Sequence, residues 1–115
     1  MGVVLSQDGS SLIAVLDGEL DVATVPRVRA QLEAALTPKV QSLVLDVSRV
    51  SFMDSSGLGF LLGRYRQFME RGGAVAVSGA RNQVKRVLEL SGLARIMPVT
   101  STLKEALARV GREKA

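Results

Sequence analysis

The residues best suited to chemistry in this chain form one run, Asp54-Ser55-Ser56-Gly57-Leu58-Gly59. Asp54, Ser55 and Ser56 are all favoured helix N-caps, so capping is the first explanation for them. One cap suffices for one helix, however, and three candidates stand together. Gly57, Gly59 and Gly63 follow within a turn and a half, and each costs a helix roughly 1 kcal/mol relative to alanine. A helix that carries that cost needs close approach of its own backbone or of a partner. Glycines at a strand-to-helix turn also raise a dinucleotide site. Against it, Leu62 stands where the third glycine of G-x-G-x-x-G belongs, and no acidic residue follows the strand that ends near Ser78. No Gly-Lys-Ser/Thr phosphate loop is present. A second cluster, Asp17, Glu19 and Asp21, places carboxylates at alternate positions. Such a set can bind Mg²⁺ or move protons, but it equally describes a solvated strand end leading into a helix N-terminus, where acids are favourable. With no histidine and no cysteine, Ser-His-Asp triads, thiol nucleophiles, disulfide scaffolds and most zinc sites are excluded.

These residues need a frame, and the hydropathy pattern supplies one. Val3–Ser6 and Ser11–Asp17 read as a β-hairpin around Asp8-Gly9-Ser10. Thr24 is placed as the N-cap of a helix carrying Val25, Val28, Leu32 and Leu36, which Thr37-Pro38 ends. Ser42–Val47 is a buried strand, with Ser51-Phe52-Met53 leading toward a turn. Ser56–Arg71 is the strongest helix. Its expected apolar face is Leu58, Leu61, Leu62, Tyr65, Phe68 and Met69, and its wet face is Arg64, Arg66, Gln67, Glu70 and Arg71. Gly72-Gly73 stops it. Ala74–Ser78 is another buried strand. Gly79–Asn82 opens a helix that Gly92 ends. Ile96–Val99 is expected as an edge strand, and Thr102 with Glu105 as a capping box for a last helix. The order β-β-α-β-α-β-α-β-α predicts an α/β fold, a mixed but mostly parallel sheet with four helices. The carboxyl ends of the parallel strands then share one edge, where three loops gather, Gly18–Thr24, Val50–Ser56 and Gly79–Asn82.

With 115 residues, 47% of them hydrophobic, the chain suits a single domain over 1–115, with 111–115 expected as a frayed tail. No apolar run reaches the roughly 20 residues of a membrane helix, and the N-terminus lacks a basic, then apolar, leader. A cytoplasmic protein is the expectation. The net charge of +4 admits nucleic acid, but the basic residues are dispersed and aromatics are 3% of the chain, too few to stack bases.

Gly18-Glu19-Leu20-Asp21, the strand Leu43–Val47 and Phe52-Met53-Asp54-Ser55-Ser56-Gly57-Leu58-Gly59 together resemble the STAS family of anti-sigma factor antagonists. The likeness continues through Leu62–Arg66, Val84-Lys85-Arg86 and Ser91-Gly92-Leu93, covering nearly the whole chain. Within the family the run looks most like the sporulation branch. The general-stress branch usually has Thr as the second hydroxyl residue. Val22-Ala23 departs from the sporulation branch, which has polar residues there. The resemblance implies a STAS fold and a regulatory, non-enzymatic role. The antagonist binds an anti-sigma factor that is also a serine kinase and so frees the sigma factor. The kinase phosphorylates Ser55, and a PP2C-type phosphatase reverses this. ATP and Mg²⁺ belong to the kinase, and the antagonist needs no cofactor of its own. The implied partner surface is Gly18, Glu19, Asp21, Thr24, Asp54, Ser56, Gly57, Leu58 and Gly59. Neither nucleic acid nor membrane is an expected partner. Two alternatives stay open, a constitutive scaffold of the same fold in a stress-signalling assembly and a small nucleotide-binding enzyme.

Overall fold

A computed structural model describes residues 1–114. Five strands and four helices alternate: β1 (Gly2–Asp8), β2 (Ser11–Leu20), α1 (Val25–Ala35), β3 (Ser42–Met53), α2 (Ser55–Glu70), β4 (Ala74–Ser78), α3 (Asn82–Ser91), β5 (Val99–Thr100) and α4 (Leu103–Lys114). The strands lie side by side in chain order, β1 antiparallel to β2 and the rest parallel. The expected α/β architecture and element order are present. Because the order advances one strand at a time, crossovers of a single hand must carry α1, α2 and α3 over the same face. That face holds the main core. Leu43, Leu45, Val47, Val75 and Val77 point from the sheet against Val28 and Leu32 of α1, Phe60, Leu61 and Phe68 of α2, and Val84 and Leu88 of α3. The opposite face is thinner. There Val44, Ala74 and Ala76 meet Ala106 and Val110 of α4, and the small alanines let that helix lie close to the sheet.

Several boundaries differ from the sequence expectation. β3 does not turn at Ser51; pairing with β2 continues through Glu19↔Phe52 and Leu20↔Met53. Two register shifts, at Val15/Asp17 and Gly18/Glu19, absorb the extra length. Ile96 lies past a 3-10 turn at Leu93–Arg95, and β5 is only Val99–Thr100. Pro98 cannot donate to a ladder, but its carbonyl accepts the Val77 amide at 2.9 Å. The bounds of α4 reach Lys114, and Ala115, the end of the tail expected at 111–115, lies outside the described residues. The Thr102–Glu105 capping box forms, with the Glu105 amide donating to Thr102 Oγ1 at 3.2 Å.

The packing face of α2 is rotated from the expected one. Phe60 is buried, whereas Met69 is 52% exposed. Gly57, Phe60, Leu61 and Phe68 form the buried row. Phe68 is fully buried, so truncating it leaves a cavity as well as losing transfer energy. Phe68→Ala is expected to cost about 3–5 kcal/mol, and Met69→Ala under about 1 kcal/mol, both read from urea unfolding midpoints. Equal costs would show that the helix packs on the other face.

Candidate functional site

The carboxyl end of β3 delivers its chain directly into α2 through one residue. Asp54 is that residue and the N-cap. Its Oδ1 accepts the amides of Ser56 at 2.8 Å and Gly57 at 3.1 Å. Its Oδ2 accepts the Val22 amide, in the β2–α1 loop, at 3.2 Å. Capping is therefore complete at Asp54. Ser55 and Ser56, the two other cap candidates, make no side-chain hydrogen bond to the described chain. Ser55 is exposed and Ser56 half-buried.

The loop from Gly18 to Thr24 closes on itself. Asp21 Oδ1 accepts the amides of Ala23 and Thr24 at 3.0 and 3.1 Å. Thr24 Oγ1 accepts the Asp21 amide at 3.0 Å and donates to the Glu19 carbonyl at 2.8 Å. Thr24 occupies the expected N-cap position of α1, but it is itself helical and makes no side-chain cap bond. Asp21 does the capping work in its place. Gly18 has φ of 122°, where a side chain is strained, and a Cβ there would meet Met1 Cα at 3.3 Å. The side chains of Asp17 and Glu19 remain exposed. Among the described residues no group of three His, Cys, Asp or Glu side chains is placed to hold a metal ion.

The sequence-derived residues thus come together. The Val22–Asp54 bond ties the loop of Gly18, Glu19, Asp21 and Thr24 to the run Asp54–Gly59. Two shallow grooves flank the start of α2. One, of about 240 Å³, has Ser55, Leu58, Leu62 and Ile96 in its walls. The other, of about 320 Å³, has Val22, Pro26, Ser56 and Phe60. Gly59 lines both, and a Cβ at Gly59 would have open space around it. Gly57 differs. Its added Cβ would collide with the Leu20 carbonyl oxygen and come within 2.8 Å of Met53 Cγ. Gly57 therefore serves the fold, whereas no contact inside the protein requires Gly59. Val22 is 71% exposed at the rim.

Two features escaped the sequence reading. Gln83 of α3 clamps the end of β3, accepting the Met53 amide at 2.9 Å and donating to the Met53 carbonyl at 2.8 Å. A glutamine one residue into a helix carries no pattern that announces this. Arg64, assigned to the wet face, is folded between α1 and α2. It is 11% exposed, 3.5 Å from Glu33 Oε1, and 5.0 Å from the centre of the Phe60 ring. Burial holds its guanidinium below the usual pKa, with Glu33 opposing the shift and Arg29 adding to it; arginine stays charged at neutral pH regardless. The Glu33 four residues after Arg29 and the Arg64 four after Phe60 are the signals that pairing rules could have used.

A model of the STAS domain matches residues 3–106. An anti-sigma F factor antagonist from Paenibacillus polymyxa is 41% identical over 100 residues, covering 86% of each chain. An anti-sigma-B factor antagonist from Staphylococcus aureus is 35% identical over 86 residues, covering 71% of this chain and 76% of that one. The solved structure of the Bacillus cell fate determinant SpoIIAA in the phosphorylated form superposes with a TM-score of 0.73 at 32% identity, covering 95% of this chain and 99% of that one.

The contrast between the two glycines is measurable. Gly59→Ala is expected to stabilise by up to about 1 kcal/mol, the helix-propensity gain. Gly57→Ala is expected to destabilise by about 1–3 kcal/mol through overpacking. Asp21→Ala removes the acceptor of two loop amides and is expected to cost about 1 kcal/mol. Chemical unfolding of the three variants checks all of these, and similar midpoints for both glycine variants would refute the assignment of Gly57 to the fold.

Proposed function

The chain belongs to the STAS family, and from that membership we propose that it is an anti-sigma factor antagonist whose unphosphorylated form binds an anti-sigma factor and so releases the sigma factor. The proposed partner is an anti-sigma factor with serine kinase activity, which transfers phosphate from its own ATP and Mg²⁺ to Ser55. A PP2C-type phosphatase restores the binding form. Sigma F, and with it sporulation, is the proposed branch. The 41% relative is named for that sigma factor, and Ser56 occupies the position where the general-stress branch usually has Thr. The protein acts as substrate and switch and is not a catalyst. Among the described residues, no helix is long and apolar enough to cross a membrane.

The observation that carries this reading is the state of Ser55. Its hydroxyl stands exposed at the first position of α2, relieved of capping by Asp54 and at the wall of one groove, with Ser56 at the wall of the other. A kinase can reach it without unfolding the helix. A phosphate there would face the positive end of a helix dipole, which tolerates anions, so the fold survives modification. The partner surface proposed around it comprises Gly18, Glu19, Asp21, Thr24, Asp54, Ser56, Gly57, Leu58 and Gly59. Within it, Asp21, Thr24, Asp54 and Gly57 act by holding shape, and Glu19, Ser56, Leu58 and Gly59 are open to contact.

The test uses the cognate kinase and ATP. Ser55→Ala should no longer be phosphorylated, by mass spectrometry, yet should still bind the kinase. Ser55→Asp should keep a normal circular dichroism spectrum and lose at least about tenfold in affinity, equivalent to about 1.4 kcal/mol. Phosphorylation of Ser55→Ala at the normal rate would sink the assignment of the acceptor. Wild-type affinity for Ser55→Asp by calorimetry would count against an electrostatic switch.

A further inference from the structure

The surplus of positive charge is not used by the Ser55 face, and part of it gathers elsewhere. At the carboxyl ends of β3 and β4, Ser48, Arg49, Gly79, Ala80, Arg81 and Ser101 line an open cleft of about 520 Å³. A smaller cleft of about 210 Å³ shares Ser48, Arg49 and Arg81 and adds Asn82. Neither Arg49 nor Arg81 pairs with a carboxylate among the described residues. Arg81 Nη2 donates to the Ser48 carbonyl at 2.7 Å, which fixes the guanidinium at the cleft wall and leaves its other donors free. The hydroxyls of Ser48 and Ser101 make no hydrogen bond to the described chain.

The backbone here also lacks an acceptor. The N-cap position of α3 is Arg81, which has no side-chain cap bond, and no acidic residue stands in the first turn. Helix starts normally satisfy such amides with a carboxylate or hydroxyl; here two cationic side chains crowd the same end. Asn82 is held at φ of 54°, a left-handed conformation that non-glycine residues rarely adopt and that gathers at binding sites. Gly79, at φ of 80°, lies so close to the Ser48 backbone that an added Cβ would come within 2.8 Å of Ser48 Cβ. Just before it, the Ser78 side chain is buried with its hydroxyl unpartnered, on the same sheet face as Asp46 by the register Asp46↔Ser78. Two carboxylates oppose an anion here. Asp46 Oδ1 is engaged by the Ser48 amide at 2.9 Å, and Asp17 is the direct partner of Arg49 on the neighbouring strand β2.

We propose that this cleft is a binding site for a small phosphate-bearing anion, held by Arg49 and Arg81 with the free hydroxyls of Ser48 and Ser101 as further partners. Two guanidinium groups match the paired oxygens of a phosphate, and the uncapped start of α3 faces the same ligand with free amides. The site is separate from Ser55; its two clefts share no lining residue with the groove at Ser55.

The experiment titrates inorganic pyrophosphate into the isotope-labelled full chain and follows the amide resonances. Saturable shifts are expected at Ser48, Arg49, Gly79–Asn82 and Ser101. Arg49→Ala and Arg81→Ala should each raise Kd by about tenfold or more, the loss of one charge-assisted contact. Arg66→Ala, on the exposed face of α2, should leave Kd unchanged. A parallel titration with ADP identifies the source of the phosphate. Equal Kd values mean that the cleft reads the phosphate alone, and a tighter Kd with added shifts means a nucleotide. Shifts scattered over all surface arginines, or Kd values equal in wild type and both cleft variants, would overturn the proposal.

Discussion

The site depends on one carboxylate. Asp54 accepts three backbone amides, two from the first turn of α2 and one from Val22. Hydrogen bonds to a charged acceptor contribute roughly 1.5–3 kcal/mol each, and the charge also sits at the positive end of a 16-residue helix. The same side chain therefore starts the helix and fixes the loop beside it. Its other effect is to leave Ser55 and Ser56 without a capping task. A free hydroxyl at a helix start is unusual unless another residue caps, and the adjoining aspartate is what makes it possible.

Packing then holds that junction in one place. Gly57 lets α2 approach the Leu20 carbonyl closely, and Gln83 grips Met53 from the other side. Phe60 and Leu61 anchor the next turn in the core. Farther along, Arg64 lies under Glu33 and over Phe60; with its guanidinium largely desolvated, removing Glu33 would leave a charge poorly compensated. These contacts make the amino-terminal half of α2 rigid where its outer surface is bare. Gly59 contributes nothing to that rigidity and costs helix stability, and a Cβ there would meet nothing inside the described chain.

The alternation of elements was legible because β2, β3 and β4 are continuous apolar runs and the helices have clear stops at Gly72 and Gly92. The sheet edge carrying the site followed from that order. Less legible were features set by partners far away in sequence. The extension of β3 to Met53 depends on its pairing with β2 through two bulges in β3 itself, and polar Ser51 and exposed Phe52 give no local sign of it. The rotation of α2 that buries Phe60 and Arg64 follows from where α1 lies, because an arginine reads as solvent-facing until a carboxylate and a ring are seen beside it. Asp54, Ser55 and Ser56 were equivalent as caps on local grounds; the extended backbone of Asp54 and its bonds to the Ser56, Gly57 and Val22 amides separate them.

That separation also decides how a phosphate at Ser55 would act. It adds about −1.5 to −2 charges, taking the net charge from +4 only to about +2, so long-range steering of a partner would change little. In the free protein the new charge stays hydrated, with the helix dipole on one side and Asp54 on the other, and the fold tolerates it. Against a docked partner the water is gone, and Asp54 cannot move away because three amides hold it. An uncompensated charge buried in this way costs on the order of 3–5 kcal/mol, or roughly 100- to 1000-fold in affinity. The bonds that build the helix start are thus the ones that would keep a repelling carboxylate beside the proposed phosphoacceptor, so in the proposed switch the local term dominates and no change of fold is needed.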